Sequence, residues 1–182
     1  MSEIEYRGYT IRIEQDDNPE NPRDWDNLGI MLCFHRRYDL GDNTELRSNE
    51  FGSWDAVEEY LVKKLHAKFI KPLYLYDHSG ITIATHPFSC PWDSGQVGFI
   101  YTTSKLIRTN FGHKPIAKIE KDIIANLESE VSIYDSYIRG DVCGYIIEKN
   151  GEHHDSCWGF YSDDEAIKAA KHIIDNWSGN NE

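Results

Sequence analysis

The fold is decided by the stretch DVCGYIIEKNGEHHDSCWGFY, residues 141–161, in which two strand-like segments flank the dipeptide Asn150-Gly151. Asn-Gly is the strongest short turn signal in the chain, because both residue types tolerate the positive φ angles of a two-residue hairpin turn. The pattern therefore predicts a β-hairpin whose strands lie within residues 141–148 and 156–161. Because a hairpin joins antiparallel strands, it favours an antiparallel or mixed sheet over a parallel one.

A helix is predicted directly after this hairpin. Ser162 begins the sequence Ser-Asp-Asp-Glu, a capping box that satisfies free backbone N–H groups at a helix N-terminus. Four apolar residues then recur at helical spacing, which predicts a buried helix face: Ile167, Ala170, Ile174 and Trp177. The end of the chain is therefore expected to form strand, strand and helix.

Similar signals predict the other elements. Strands are expected at residues 8–15, 28–35, 73–76, 81–85 and 96–103, and helices at 53–69 and 115–139. Gly8-Tyr9-Thr10-Ile11 resembles Gly144-Tyr145-Ile146-Ile147, which suggests a duplicated strand-strand-helix unit. Since no Pro-, Gly- or Ser-rich linker divides the chain, we predict a single α+β domain over residues 1–182, with about three helices.

Composition excludes several classes of protein. The chain has 182 residues, of which 40% are hydrophobic and 13% aromatic, so it can bury a core and wholesale disorder is excluded. No stretch reaches the roughly 18 consecutive apolar residues of a membrane helix, and the start MSEIE lacks the basic and apolar regions of a signal peptide. We therefore expect a cytoplasmic protein whose four cysteines are free thiols.

Charge is distributed unevenly along the chain. The sequence carries 19 basic and 31 acidic side chains, a formal net charge of −12. Residues 1–59 contain 6 basic and 15 acidic side chains, residues 60–121 contain 9 and 3, and residues 122–182 contain 4 and 13. If folding keeps these thirds apart on the surface, the protein can present one surface to a basic partner and another to a polyanion.

Two groups of charged residues are candidates for such surfaces. The acidic candidates for protein binding lie in the loop expected between the first two strands: Asp16, Asp17, Glu20, Asp24 and Asp26. The basic candidates repeat the spacing i, i+4, i+7 at the end of the first long helix and the start of the second: Lys64, Lys68 and Lys71, then Lys114, Lys118 and Lys121. Each set predicts a basic stripe that can contact nucleic-acid phosphates, although a solvated helix face explains either set alone.

The signals for catalysis and metal binding are weak. The sequence contains no Cys-x-x-Cys pair, no Gly-x-Ser-x-Gly elbow and no phosphate-binding glycine loop. The alternatives that stay open are a nucleophile at Cys90 with His78 or His86, a zinc site from Cys33 and His35 or from His153, His154 and Cys157, and a calcium loop at residues 24–35. We expect a binding protein without catalytic residues, resident metal or cofactor.

Three stretches resemble a known family: NPRDWDNLG at residues 21–29, CPWDSGQVG at residues 90–98 and GDVCGY at residues 140–145. Together with the length and acidity, they are similar to anti-CRISPR proteins of the type II-A class. Phages, plasmids and integrated elements of Firmicutes and gut bacteria carry such proteins. The resemblance covers about residues 21–161, and it assigns no functional residue.

The resemblance implies an inhibitor rather than an enzyme. Such a protein is expected to bind the single-subunit RNA-guided nuclease with its guide RNA, and double-stranded DNA as a second partner, in the bacterial cytoplasm. Binding would block target engagement or cleavage. Two alternatives stay open, a general acidic DNA mimic directed against restriction enzymes and a cysteine-dependent enzyme that uses Cys90.

Overall fold

The computed structural model describes residues 2–179 and has an antiparallel α+β fold, which confirms the predicted fold class. Its strands are β1 (Ser2–Tyr6), β2 (Tyr9–Gln15), β3 (Ile30–Cys33), β4 (Ala67–Asp77), β5 (Ile81–Ala84), β6 (Ser94–Thr103), β7 (Cys143–Lys149) and β8 (Glu152–Phe160). Its helices are α1 (Trp54–Lys64), α2 (Ser104–Phe111), α3 (Ile116–Arg139) and α4 (Asp163–Gly179). Within residues 2–179, no helix combines the length and the apolar character of a membrane span.

The described chain divides into two compact units. The terminal unit contains residues 2–21 and 136–179, and the central unit contains residues 22–135. Each unit has its own four-stranded antiparallel sheet. The single domain expected over residues 1–182 stays a prediction.

The terminal unit consists of one sheet with a helix on one face. Its strand order is β1-β2-β7-β8, and α4 buries Ala166, Ala170 and Ile174 against Ile11 and Ile147. Successive side chains of a strand point to opposite faces, so the alternate apolar residues of β2 and β7 face the helix together. The opposite face of this sheet carries polar and charged residues of β2.

The hairpin that decides this unit forms at the predicted turn. Asn150 has a φ angle of 53° and Gly151 one of 81°, the positive angles that the turn requires. The Ser162 hydroxyl caps α4 by accepting a hydrogen bond from the backbone N–H of Glu165 at 3.2 Å. Local sequence signals therefore predict this part of the fold correctly.

The suggested duplication is not reproduced by the strand pairing. β7 pairs with β8 ahead of α4, but β2 and β3 belong to different sheets, so they cannot form an equivalent unit. The two similar Gly-Tyr stretches instead lie on neighbouring strands, with Ile11 opposite Ile147. Their similarity reflects a shared position facing α4.

The central unit buries its sheet on both faces. Its strand order is β3-β6-β4-β5, and six successive residues of β6, Val97 to Thr102, are buried. On one face, Leu61 of α1 packs in a cluster with Phe99 and Tyr101. On the other, Gly29 lies between Leu127 of α3 and Ile100, where a Cβ atom would come within 2.8 Å of both.

Helix α1 is shorter than predicted. It begins after the predicted cap Ser53, whose hydroxyl accepts a hydrogen bond from Ala56 N at 3.2 Å. It ends at Lys64 rather than at Phe69, because His66 takes a φ angle of 52° and the chain enters β4. Ala67 and Lys68, which the predicted helix includes, pair with β6 instead, so tertiary pairing overrides local propensity here.

Candidate binding surfaces

The predicted acidic loop is divided between the two units. In the terminal unit, the Asp16 carboxylate closes a tight turn by accepting a hydrogen bond from the N–H of Asn18 at 3.0 Å. The N–H of Asp16 donates to the carbonyl oxygen of Val142 at 2.8 Å. Asp17 and Glu20 are exposed. Asp16 therefore has a structural role, whereas the other two carboxylates face solvent.

Asp24 and Asp26 belong to the central unit. Both are exposed, and they flank Trp25, whose exposed fraction is 43%. Among the described residues, no cation forms an ion pair with these two carboxylates or with the three loop carboxylates of the terminal unit. Their charge is therefore available to a basic partner.

The segment that carries Asp24 and Asp26 is held by Arg23. The Arg23 side chain is 3% exposed and donates to both oxygens of Asp42, at 2.7 and 3.0 Å, and to Glu130 at 3.0 Å. Burial lowers the pKa of Arg23, but the hydrogen bonds and charges of Asp42 and Glu130 outweigh that effect and raise it. This network fixes the position of the loop that displays the two carboxylates.

The terminal unit contains a cleft of about 650 Å³ beside β2 and β7. Its wall includes Glu14, Asp141 and Asp163, together with Arg139, which pairs with Asp141 at 2.8 Å. The cleft is missed by sequence reasoning, because residues 14 and 141 come together only when β2 pairs with β7. A cluster of residues from distant strands cannot be recognised from the sequence unless the strand order is already known.

Acidic residues around this cleft act on two titratable groups. Burial and, to a smaller extent, the nearby carboxylates of Asp163 and Asp16 together raise the pKa of Cys143 to about 11. Burial also raises the pKa of Tyr161, with a contribution from the charge of Glu20. Cys143 is therefore a protonated thiol at neutral pH, which makes it a poor nucleophile.

The first predicted lysine stripe is wrong. Lys64 is the last residue of α1, whereas Lys68 and Lys71 lie on β4, so the three lysines do not share a helix face. Lys71 also binds Glu128 of α3 at 2.6 Å. The cause is the early end of α1, because helical spacing has no meaning once the chain becomes a strand.

The second lysine set stays exposed at the start of α3. Lys114 lies in the turn before the helix, and Lys118 and Lys121 are on its first two turns. Helix α2, which the sequence analysis did not predict, precedes this turn and adds Lys105 and Arg108, both exposed. A basic surface therefore exists here that is larger than the sequence pattern indicated.

The loop that contains Cys90 is held by hydrogen bonds that do not form a cysteine–histidine pair. The Cys90 thiol donates to Asp93 at 3.6 Å, and His78 contacts the same carboxylate at 3.2 Å. The Ser94 hydroxyl donates to the Cys90 carbonyl at 2.6 Å. The ring of His86 packs near Phe88, with 5.9 Å between the ring centroids. The described contacts are those of a fixed turn.

This turn displays Trp92, which is 92% exposed. A groove of about 410 Å³ lies beside it, lined in part by His35, Arg37, Gly95 and Gln96. The pairing of β3 with β6 stops at Gly98, so the groove borders an edge of β6 that no described strand covers. A large aromatic side chain held in water on a fixed turn is typical of a protein-binding surface.

The residues that the sequence offered as metal ligands make other contacts in the structure. Burial and, to a smaller extent, the charge of Asp42 together raise the pKa of the Cys33 thiol to about 12. The His154 ring packs on Tyr9, with 5.4 Å between their centroids, while Leu28 of the calcium-like loop is a core residue. Within residues 2–179, no three His, Cys, Asp or Glu side chains are grouped so that they could hold a metal ion.

Comparison with known proteins identifies no relative of this chain. No family model, curated protein or solved structure matches the chain.

Proposed function

We propose that this chain is a stoichiometric inhibitor that binds the guide-loaded RNA-guided nuclease of type II CRISPR systems. The observation that carries the proposal is the set of exposed carboxylates without an ion pair among the described residues: Asp17, Glu20, Asp24 and Asp26. The nuclease holds its RNA–DNA duplex in a positively charged channel and reads its DNA motif with arginines. Carboxylates such as Asp24 and Asp26, on the segment held by Arg23, can occupy the positions of phosphates in such a channel.

The overall charge distribution supports the same proposal. Residues 1–21 and 136–182 contain 6 basic and 15 acidic side chains, whereas residues 22–135, which form the central unit, contain 13 and 16. A strongly acidic surface accelerates encounter with a basic partner and disfavours contact with free nucleic acid. An inhibitor that competes with DNA for a basic channel gains from the faster encounter with that channel.

The first test is a titration of the purified protein into a cleavage reaction of guide-loaded nuclease and duplex target. A stoichiometric inhibitor gives an equivalence point, whereas an enzyme acting on the nuclease inactivates all of it at trace amounts. Unchanged cleavage at large molar excess contradicts the proposal. Cys90→Ala should inhibit like the wild type, which separates this proposal from the cysteine-dependent enzyme.

A second arm tests the acidic loop itself. The isosteric variant Asp17→Asn, Glu20→Gln, Asp24→Asn, Asp26→Asn removes four charges without changing side-chain size. We expect its equivalence point to disappear and its inhibition to weaken at least tenfold, because close interface charge pairs contribute about 1.5–7 kcal/mol each. The matched control removes four other exposed carboxylates: Glu45→Gln, Glu50→Gln, Glu58→Gln and Asp122→Asn.

The same carboxylates fit a second candidate, a general DNA mimic that binds restriction enzymes. The exposed acidic loop favours both candidates equally, because any DNA-binding groove presents cations to phosphates. Inhibition of a restriction endonuclease at the ratio that inhibits the RNA-guided nuclease would favour the general mimic. Inhibition of the RNA-guided nuclease alone would favour the first proposal.

A further inference from the structure

We propose that the terminal unit has a further protein-binding surface, which binds arginine side chains on a basic surface of the nuclease. This surface, the free sheet face, is the face of the sheet β1-β2-β7-β8 that lies opposite α4, and it includes Trp158 of β8. The inference rests on the proposed function for the identity of the partner, and it adds a surface that the acidic loop does not contain.

Strand alternation decides which side chains belong to the free sheet face. Ile11 and Ile13 of β2 pack in the core cluster that also contains residues of α4. Successive side chains of a strand point to opposite faces, so Arg12 and Glu14 lie on the free sheet face. The strand register adds further side chains to the same rows: Glu3 and Glu5 of β1, Thr10 of β2, and Ile146 and Glu148 of β7.

The free sheet face is acidic. Among the described residues, its four glutamates face a single Lys or Arg side chain, that of Arg12. Arg12 contacts Glu14 at 3.4 Å and Glu148 at 3.3 Å. Glu3 and Glu5 are exposed, and no described cation forms an ion pair with either of them. A surface of this charge repels nucleic acid, anionic lipid and a second copy of itself, and it attracts a basic protein.

Trp158 places an aromatic ring on this acidic face. Its indole lies directly over Gly144 of β7, where a Cβ atom would come within 2.4 Å of the ring atom Cε3. Glu14 lies opposite Gly144 in the strand pairing, so a carboxylate lies beside the residue that the ring covers. Because Trp158 is 44% exposed, part of the ring is open to a ligand.

The combination of an indole with carboxylates favours arginine over lysine as the ligand. A guanidinium plane can stack on an aromatic ring and donate hydrogen bonds to a carboxylate at the same time, whereas an ammonium group is a compact, strongly hydrated charge. Glu14 also lines the cleft of about 650 Å³ beside β2 and β7, so the free sheet face borders a concavity that can accommodate a long side chain. We therefore expect an arginine of the partner to lie on Trp158.

The test measures binding of the full chain to immobilised guide-loaded nuclease without target DNA, by biolayer interferometry at several salt concentrations. Trp158→Leu and Trp158→Tyr form a matched pair, because both keep an apolar side chain over Gly144 and only tyrosine keeps an aromatic ring. A third variant, Glu3→Gln, Glu5→Gln, removes the two unpaired carboxylates. Its control, Glu152→Gln, Asp164→Asn, removes the same charge from exposed positions at the β7–β8 turn and on α4. Circular dichroism and urea unfolding of every variant check the fold.

We expect Trp158→Leu to bind about tenfold more weakly than the wild type, because leucine cannot stack with a guanidinium, and Trp158→Tyr to stay within about threefold. Glu3→Gln, Glu5→Gln should associate about fivefold more slowly at low salt, and its association rate should depend less on salt. The control should bind like the wild type. Since Glu3 and Glu5 are exposed, this arm tests the face even if Trp158→Leu lowers stability.

The outcomes separate this inference from the proposed function. Wild-type binding by both Trp158→Leu and the Glu3, Glu5 variant, or equal losses in that variant and its control, would overturn the inference and leave the proposed function standing. Equal weakening by leucine and tyrosine at position 158 would overturn the assignment of an arginine ligand. Failure of the wild-type chain to bind the nuclease would contradict the proposed function and the inference together.

Discussion

At the scale of single residues, Arg23 joins several segments of the central unit through one buried guanidinium. Its guanidinium joins Asp42 and Glu130 and also donates to the carbonyl oxygen of Gly29 at 2.7 Å. Glu130 in turn accepts a hydrogen bond from the backbone N–H of Leu28 at 2.7 Å. One buried cation therefore connects α3 to the segment that displays the acidic loop of the central unit.

Replacing Arg23 should unfold this network. We expect Arg23→Met to lower the free energy of unfolding by about 3–5 kcal/mol, because Asp42 and Glu130 would be left as partly buried charges without a cation. Arg23→Lys should recover part of the loss, since an ammonium group keeps the charge but not the paired geometry. Urea denaturation measures both variants, with Arg36→Met as the exposed control. A loss for Arg23→Met below about 0.5 kcal/mol would contradict this role.

Residue-scale predictions from sequence succeed where the physics is local. The Asn150-Gly151 turn and the caps Ser53 and Ser162 depend on neighbours within three residues, and all form as predicted. Arg23 gave no such signal, because its partner Glu130 is 107 positions away in the chain. Its charge could be read from the sequence, but its burial could not.

At the scale of elements, the close approach of β3 and β6 depends on Gly98. A Cβ atom at this position would overlap the carbonyl oxygen of Leu32 and come within 2.9 Å of the Cα atom of Cys33. Backbone atoms cannot move aside as the end of a flexible side chain can. Gly95, three residues earlier on the same strand, has open space at the same position.

This contrast gives a matched pair of alanine variants. Gly98→Ala should lower the free energy of unfolding by about 1–3 kcal/mol, because the strands must separate to admit a methyl group. Gly95→Ala should change it by less than about 0.5 kcal/mol, since nothing there has to move. Thermal or urea unfolding of the two variants side by side tests the difference, and equal effects would show that β3 and β6 tolerate separation.

The ends of helices were predicted correctly where a residue such as glycine stops the helix, and incorrectly where no such residue is present. Gly140, with a φ angle of 73°, stops α3 as expected. Helix α2 was missed because it is 8 residues long and follows β6 without a break, capped by the last residue of that strand, Thr103. The end of α1 was missed because pairing with β6, and not a local breaker, decides it.

At the scale of the whole molecule, the charge pattern is the feature of the candidate sites that sequence predicts best. Four of the five carboxylates of the acidic loop, all but Asp16, are exposed, and so are the three lysines of the second set. Sequence could not predict the cleft beside β2 and β7 or the extension of the basic surface by α2, because both depend on how elements assemble. The groove beside Trp92 also depends on assembly. It lies beside residues 94–97 of β6, which extend past the end of β3 and have no partner on that strand.

That groove gives a prediction about the partner. Trp92 makes little contact with its own chain, so Trp92→Ala should change the free energy of unfolding by less than about 0.5 kcal/mol. If the inhibited nuclease covers this surface, loss of the indole should weaken inhibition by about 2 kcal/mol, or roughly thirtyfold, as expected for a central aromatic contact. The measurement is the titration of guide-loaded nuclease with each variant.

A second variant tests the groove beside Trp92 rather than the indole ring itself. Gly95→Leu places a side chain in the open space beside Trp92, so it should weaken inhibition while leaving the fold intact. Gly52→Leu is the matched control, because Gly52 also has open space around it but lies outside the groove. Inhibition that is weakened in both Trp92→Ala and Gly95→Leu, and not in the control, would identify this face as the contact surface. Wild-type inhibition by both variants would exclude it, and the acidic loop would then have to bind the nuclease without it.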